Sequence, residues 1–205
     1  MLTTRHKARL DRWLAPLARR LTRIGLTPTV LTLSAPAIGT ILCLWVLRTR
    51  AVAAFCAAIL LAGCLDALDG AVARASGRTT KFGAYLDAVC DRVFEVIVAI
   101  TAAMLSGYWL PITGVLAGSL LVSYAKARAA MEIPVSNQEW PDLMERTERG
   151  VVFVAGLAAG WLLPWRPMGR DMFWWTLILL NVLIYLTVVQ RILRARQLIE
   201  ARSRG

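Results

Sequence analysis

Six runs of mainly apolar residues, near 29–47, 52–73, 82–106, 108–130, 149–165 and 172–193, constrain this chain more than any other feature. About 20 such residues in a helix cross a hydrocarbon core, and in lipid a backbone must satisfy its own hydrogen bonds. The sequence therefore predicts an all-α integral membrane protein. It reads as a single membrane domain over 1–205, with a six-span bundle at 29–193. Ahead of the spans, residues 4–23 set Leu10, Trp13, Leu14, Leu17 and Leu21 at spacings of three or four, with Arg9, Arg12, Arg19, Arg20 and Arg23 between them. That pattern predicts an amphipathic interfacial helix on an anionic membrane surface. No continuous apolar core there precedes a small-residue cleavage site, so no removable signal peptide is expected.

A formal net charge of +11 would suggest nucleic acid as a partner in a soluble protein, but 58% of these residues are hydrophobic and the cations fall between the apolar runs. A membrane and no nucleic acid is the expectation. With the N-terminus in the cytoplasm, nineteen of the 24 Lys and Arg residues lie inside, four (Arg48, Arg50, Arg166, Arg170) lie outside, and Arg92 falls within a span. By the positive-inside rule this predicts a multi-pass plasma-membrane protein with both termini cytoplasmic. Cys43, Cys56, Cys64 and Cys90 sit in apolar segments without paired spacing and read as small buried hydrophobes. His6, the only histidine, has no second histidine to share a metal.

Ionisable side chains inside a span cost about 3 kcal/mol each to insert, so they usually mark a site. Five of the thirteen acids, Asp66, Asp69, Asp87, Asp91 and Glu95, lie in or at the ends of spans two and three. Asp66 and Asp69 are three apart and Asp87 and Asp91 four apart, so each pair shares a helix face. Four carboxylates in one pocket need positive charge, and all-oxygen ligation suits hard cations. The pattern predicts one or two divalent ions, Mg²⁺ or Mn²⁺, with two the preferred count. Such ions suit phosphoryl chemistry. A divalent-cation transporter is the competing class, but it leaves Gly70 and Arg74 beside the acids unexplained.

Residues 66–91 read DALDGAVARASGRTTKFGAYLDAVCD and fit D-x2-D-G-x2-A-R-x8-G-x3-D-x3-D at all eight fixed positions. This resembles the signature of the CDP-alcohol phosphatidyltransferase family. The resemblance implies a six-helix membrane enzyme, homodimeric, acting on a CDP-lipid. It implies that Asp66, Asp69 and Asp87 hold metal, that Asp91 is a further ligand and the general base, and that Gly70, Ala73, Arg74 and Gly83 complete the CDP site with Asp66 and Asp69.

The acceptor has to be read elsewhere in the chain. SYAKARA at 123–129 and ERTER at 145–149 put Ser123, Lys126, Arg128, Arg146 and Arg149 near the cytoplasmic end of spans four and five, a set that suits a phosphorylated acceptor. These segments, GLTPTVLTL at 25–33 and the Asp91-Arg92 pair resemble the phosphatidylinositol phosphate and archaetidylinositol phosphate synthase branch, which implies inositol phosphate. The insert 135–144 is longer and more acidic than that branch leads one to expect. Glycerol 3-phosphate, as used by phosphatidylglycerophosphate synthases, is the alternative, and lipid-headgroup contact is the plainer reading of the cations. Three smaller expectations remain. Glu95 pairs with Arg92 or supports the metal site, Thr79 or Thr80 caps span three, and the GxxxG of Gly156 and Gly160 permits close helix approach.

Overall fold

The structure is a computed structural model that describes residue 16 and residues 28–76, 80–133 and 143–203. Six α-helices among the described residues fall on the six apolar runs. They are α1 (Pro28–Thr49), α2 (Val52–Ser76), α3 (Lys81–Ser106), α4 (Trp109–Glu132), α5 (Arg146–Leu162) and α6 (Met172–Ser203), with a 3₁₀ turn at Pro167–Gly169 before α6. α6 outruns its apolar stretch because its polar end still favours helix. Arg196 and Glu200, one turn apart, form an ion pair at 2.7 Å. The expected interfacial helix at 4–23 lies outside the described residues except for Pro16, which is helical and exposed.

Thr32–Thr49, Trp109–Glu132 and Met172–Arg202 are long and apolar enough to cross a membrane. Among the described residues α2 (25 residues) shows the shorter apolar stretch Val52–Leu65, while α3 carries Lys81, Asp87, Asp91, Arg92 and Glu95 and α5 has 17 residues. Large apolar side chains nevertheless line the outer surfaces, among them Ile41, Leu44, Leu60, Leu110, Val182 and Leu186. A chain can keep such faces uncovered where its solvent is lipid.

The chain divides into two compact units, residues 1–101 and 102–205. In the first, α1 packs on α2. Phe55, Ala58, Ala62, Leu68 and Val72 are buried on α2, while Cys43 and Val46 are buried on α1. The four cysteines are free; Cys43 is buried, Cys56 and Cys90 are half-buried, and Cys64 is exposed on an outward face of α2 rather than buried as expected.

In the second unit, α6 is the central helix and packs on both α4 and α5. Its buried residues Phe173, Leu177, Leu180, Ile184, Thr187 and Arg191 alternate at spacings of four and three, the repeat that keeps one seam facing its partners. The contacts of Gly156 with Thr176 and of Gly160 with Phe173 run antiparallel between α5 and α6. A Cβ on Gly160 would stand 2.9 Å from the Phe173 backbone nitrogen, so the GxxxG is used for close approach within this chain. Contacts of Gly114 with Asn181 and Gly118 with Ile184 set α4 parallel to α6. The Asn181 amide donates to the carbonyls of Pro111 and Leu177, each at 2.8 Å.

At one end of this unit Gly107 takes a left-handed φ of 76° to turn α3 into α4. The next residue, Tyr108, donates its hydroxyl to Asp171 Oδ2 at 2.9 Å, while Asp171 Oδ1 accepts the Trp174 N–H at 2.9 Å. Asp171 thus caps α6 and ties its start to the α3–α4 turn. Burial first, and then the Asp171 carboxylate, push the Tyr108 phenol above its ordinary range.

Candidate functional site

In the sequence of α2, Asp66 and Asp69 follow Phe55, Ala58 and Ala62 at spacings of four and three, and in the last third of the helix the buried side chains are Leu68 and Val72. Gly70, Ala73 and Arg74 follow on the same helix, which is regular through Ser76. The side chains of Asp66, Asp69, Gly70, Ala73 and Arg74 lie outside the described residues, so their expected meeting with α3 does too.

α3 starts where Thr80 Oγ1 accepts the Gly83 N–H at 2.9 Å, the cap expected of it; Thr79 lies outside the described residues. The cap fixes the helical phase of the residues after it. Asp87 and Asp91 stand one turn apart, both half-buried, roughly 180° around α3 from the exposed Tyr85, Val89 and Val93. Arg92 and Glu95 form an ion pair at 2.6 Å, as the plainer of the two expectations for Glu95 had it. Among the described residues no group of three or more potential metal ligands assembles, since two of the four expected carboxylates are outside that set. The donor chemistry fits a divalent ion: Asp87 and Asp91 offer hard oxygens from adjacent turns of one rigid helix.

The basic residues separate by helix phase. On α4, Ser119, Val122 and Ala129 are buried, and half-buried Lys126 continues their stripe. Half-buried Ser123 lies next to Val122 and donates to the Ser119 carbonyl at 3.3 Å. Arg128 sits roughly 200° around the helix from Lys126, exposed and paired with Glu132 at 2.5 Å. On α5, Arg146 is exposed in the first turn, whereas Arg149 is 6% exposed and donates Nη1 to the Met144 carbonyl at 3.1 Å.

α6 connects these two groups. Buried Arg191 donates Nη1 to the Val122 carbonyl of α4, and its neighbour Gln190 accepts the Leu143 N–H at 2.9 Å just ahead of α5. In the sequence alone Arg191 is one of the nineteen cations expected in the cytoplasm, and Gln190 carries no signal. The available signal was the four-three stripe of α6, whose next position after Thr187 is an arginine.

The sequence matches the CDP-alcohol phosphatidyltransferase family over residues 25–196, nearly the whole chain. The chain belongs to the CDP-alcohol phosphatidyltransferase family. This family member is 39% identical over 145 residues to the archaetidylinositol phosphate synthase of Methanothermobacter thermautotrophicus, covering 67% of each chain. Its fold is similar to the crystal structure of Mycobacterium tuberculosis phosphatidylinositol phosphate synthase with CDP-DAG bound, at a TM-score of 0.79 and 29% identity over 90% of this chain and 94% of that one. The same mycobacterial protein in complex with manganese and citrate gives a TM-score of 0.77 at 29% identity, over 89% of this chain and 88% of that one. This phosphatidyltransferase is accordingly an enzyme of phospholipid biosynthesis.

Proposed function

We propose that the protein transfers the phosphatidyl-type group of CDP-diacylglycerol or CDP-archaeol to inositol phosphate, releasing CMP. The observation that carries the acceptor is the burial of Arg149 and Arg191 in the unit that also holds Lys126 and Ser123. Each guanidinium donates to a backbone carbonyl, and the planar fork of an arginine matches the oxygens of a phosphate. Ser123, Lys126 and Arg149, joined by Arg191, form the inner acceptor set; Arg146 and Arg128, both exposed, attract the anion from outside.

For the donor, the eight-position motif supports a CDP site made by Asp66, Asp69, Gly70, Ala73, Arg74 and Gly83. Asp66, Asp69, Asp87 and Asp91 would hold Mg²⁺ or Mn²⁺, two ions in the fullest form. Bound there, metal would screen phosphate charge and stabilise the departing CMP. Asp91 takes the proton of the acceptor hydroxyl as its oxygen attacks the β-phosphorus. One P–O bond forms, the P–O bond to CMP breaks, and CMP leaves with the bridging oxygen and its electron pair. By its place in the motif, Arg74 would bind the diphosphate.

Six spans forming one membrane domain behind an interfacial helix, with both termini and the site in the cytoplasm, follow from the apolar runs and the charge asymmetry. A homodimer completes the proposal. The test is a panel of CDP-diacylglycerol and CDP-archaeol against inositol phosphate, glycerol phosphate, inositol and serine, following CMP. Turnover with inositol phosphate is expected; turnover with free inositol or serine and with no phosphorylated acceptor would refute the basic acceptor site.

A further inference from the structure

The turn that leads into α5 is held at three consecutive residues. Glu145 donates its N–H to Glu148 Oε2 at 2.9 Å, the Met144 carbonyl accepts Arg149 Nη1 at 3.1 Å, and the Leu143 N–H reaches Gln190 Oε1 at 2.9 Å. The first two ties come from α5 itself. Glu145 and Glu148 form a capping box around its start, and Arg149 folds back across the cap, so both would travel with α5 wherever it moved. The third comes from α6 and fixes the turn to a different helix.

That helix carries Arg191 as its next residue, and Arg191 is anchored in turn on the Val122 carbonyl of α4. Two adjacent residues of α6 thereby hold the lead-in of α5 and the lower part of α4. Met144, between the two anchored groups of the turn, is 6% exposed and seats it against the core. A short hydrogen-bonded path runs from Arg149 through the Met144 carbonyl and the Leu143 N–H to Gln190, the neighbour of Arg191. A cation that binds a phosphate does so best when its position is fixed before the ligand arrives, and this path adds to the α5–α6 packing in fixing Arg149.

We propose that Gln190 is a positioning residue for the acceptor phosphate. It touches neither reactant and acts through Arg149, by docking the turn at 143–145 onto α6. This role rests on the phosphorylated-acceptor assignment made above. Gln190 itself is exposed, so truncating it leaves no cavity in the core.

The test is steady-state kinetics of the full-length purified enzyme, with CDP-diacylglycerol and whichever phosphorylated acceptor the wild type turns over, on Gln190→Ala, Arg149→Ala and the double variant. Loss of one neutral hydrogen bond predicts that Gln190→Ala raises the acceptor KM by about five- to tenfold. The CDP-lipid KM and the thermal midpoint should stay at wild-type values, which a merely structural role would not preserve. In the Arg149→Ala background, adding Gln190→Ala should change the acceptor KM no further, because the residue through which it acts is gone. An unchanged acceptor KM in Gln190→Ala overturns the role, as does the same multiplicative loss with and without Arg149, or a parallel rise in both KM values with a lowered midpoint. If the wild type turns over only unphosphorylated alcohols, the acceptor assignment fails and the role of Gln190 falls with it. If the wild type uses a phosphorylated acceptor and Gln190→Ala is silent, only the role of Gln190 fails.

Discussion

Asp91 sits one turn beyond Asp87 on a helix whose phase is set by the Thr80 cap, so replacing its carboxylate by an amide of the same shape removes the proposed base without moving the backbone. Asp91→Asn should lower kcat by about 10²- to 10⁴-fold, the usual contribution of a positioned general base, while expression and helical circular dichroism stay unchanged. Wild-type CMP release by that variant would remove Asp91 from the chemistry. Arg149, proposed for the acceptor half, predicts a different pattern. Loss of a charge-assisted contact in Arg149→Ala should raise the acceptor KM by about 10- to 100-fold and leave the CDP-lipid KM in place. The four aspartates stand out in the sequence because charge within an apolar run contrasts with its surroundings, and of the four the structure describes the side chains of Asp87 and Asp91. Arg191 does not stand out, because at the edge of a span an arginine looks like any cation obeying the positive-inside rule, and only the register of α6 shows that it points inward.

At the scale of elements, the end of the second unit where α6 begins uses two different devices. Along the α5–α6 seam Gly160 lies against backbone, which cannot rotate away as a side chain could. Gly160→Ala should therefore destabilise by about 1–3 kcal/mol. Gly150→Ala meets nothing within 4 Å and should be neutral or slightly stabilising through helix propensity; thermal melts in detergent compare the two. At the α3–α4 turn the Tyr108 hydroxyl is favoured in its protonated form. Its folded pKa is raised, so its contribution is fully present below the ordinary tyrosine value of about 10 and is lost as pH rises through the folded value. The wild type should thus melt above Tyr108→Phe at pH 8, and the gap should narrow in strongly alkaline buffer. Helix positions followed from the apolar runs to within about three residues, except at the polar end of α6, which runs ten residues beyond its apolar stretch to Ser203. The placement of Arg128 did not, since spacing along SYAKARA groups it with Lys126 while helix phase puts it on the other side with Glu132.

For the molecule as a whole, metal and substrate define the activity. Treatment with a chelator should abolish CMP release and leave helix content intact, and added Mn²⁺ or Mg²⁺ should restore release; activity surviving chelation would contradict a carboxylate-held metal. Six apolar runs and a motif bridging two of them were sufficient to read the class of protein, because bilayer thickness and phosphate chemistry each impose long, simple patterns. The acceptor was harder to read because it depends on which few cations are turned inward, a property of packing and not of composition. The most direct measurement is therefore the mass and phosphorus content of the lipid that the purified enzyme makes from CDP-diacylglycerol and inositol phosphate with Mn²⁺. The account predicts a product with one phosphodiester and one phosphomonoester, formed mole for mole with CMP. A product carrying a single phosphate, or CMP released without any inositol-containing lipid, would contradict it.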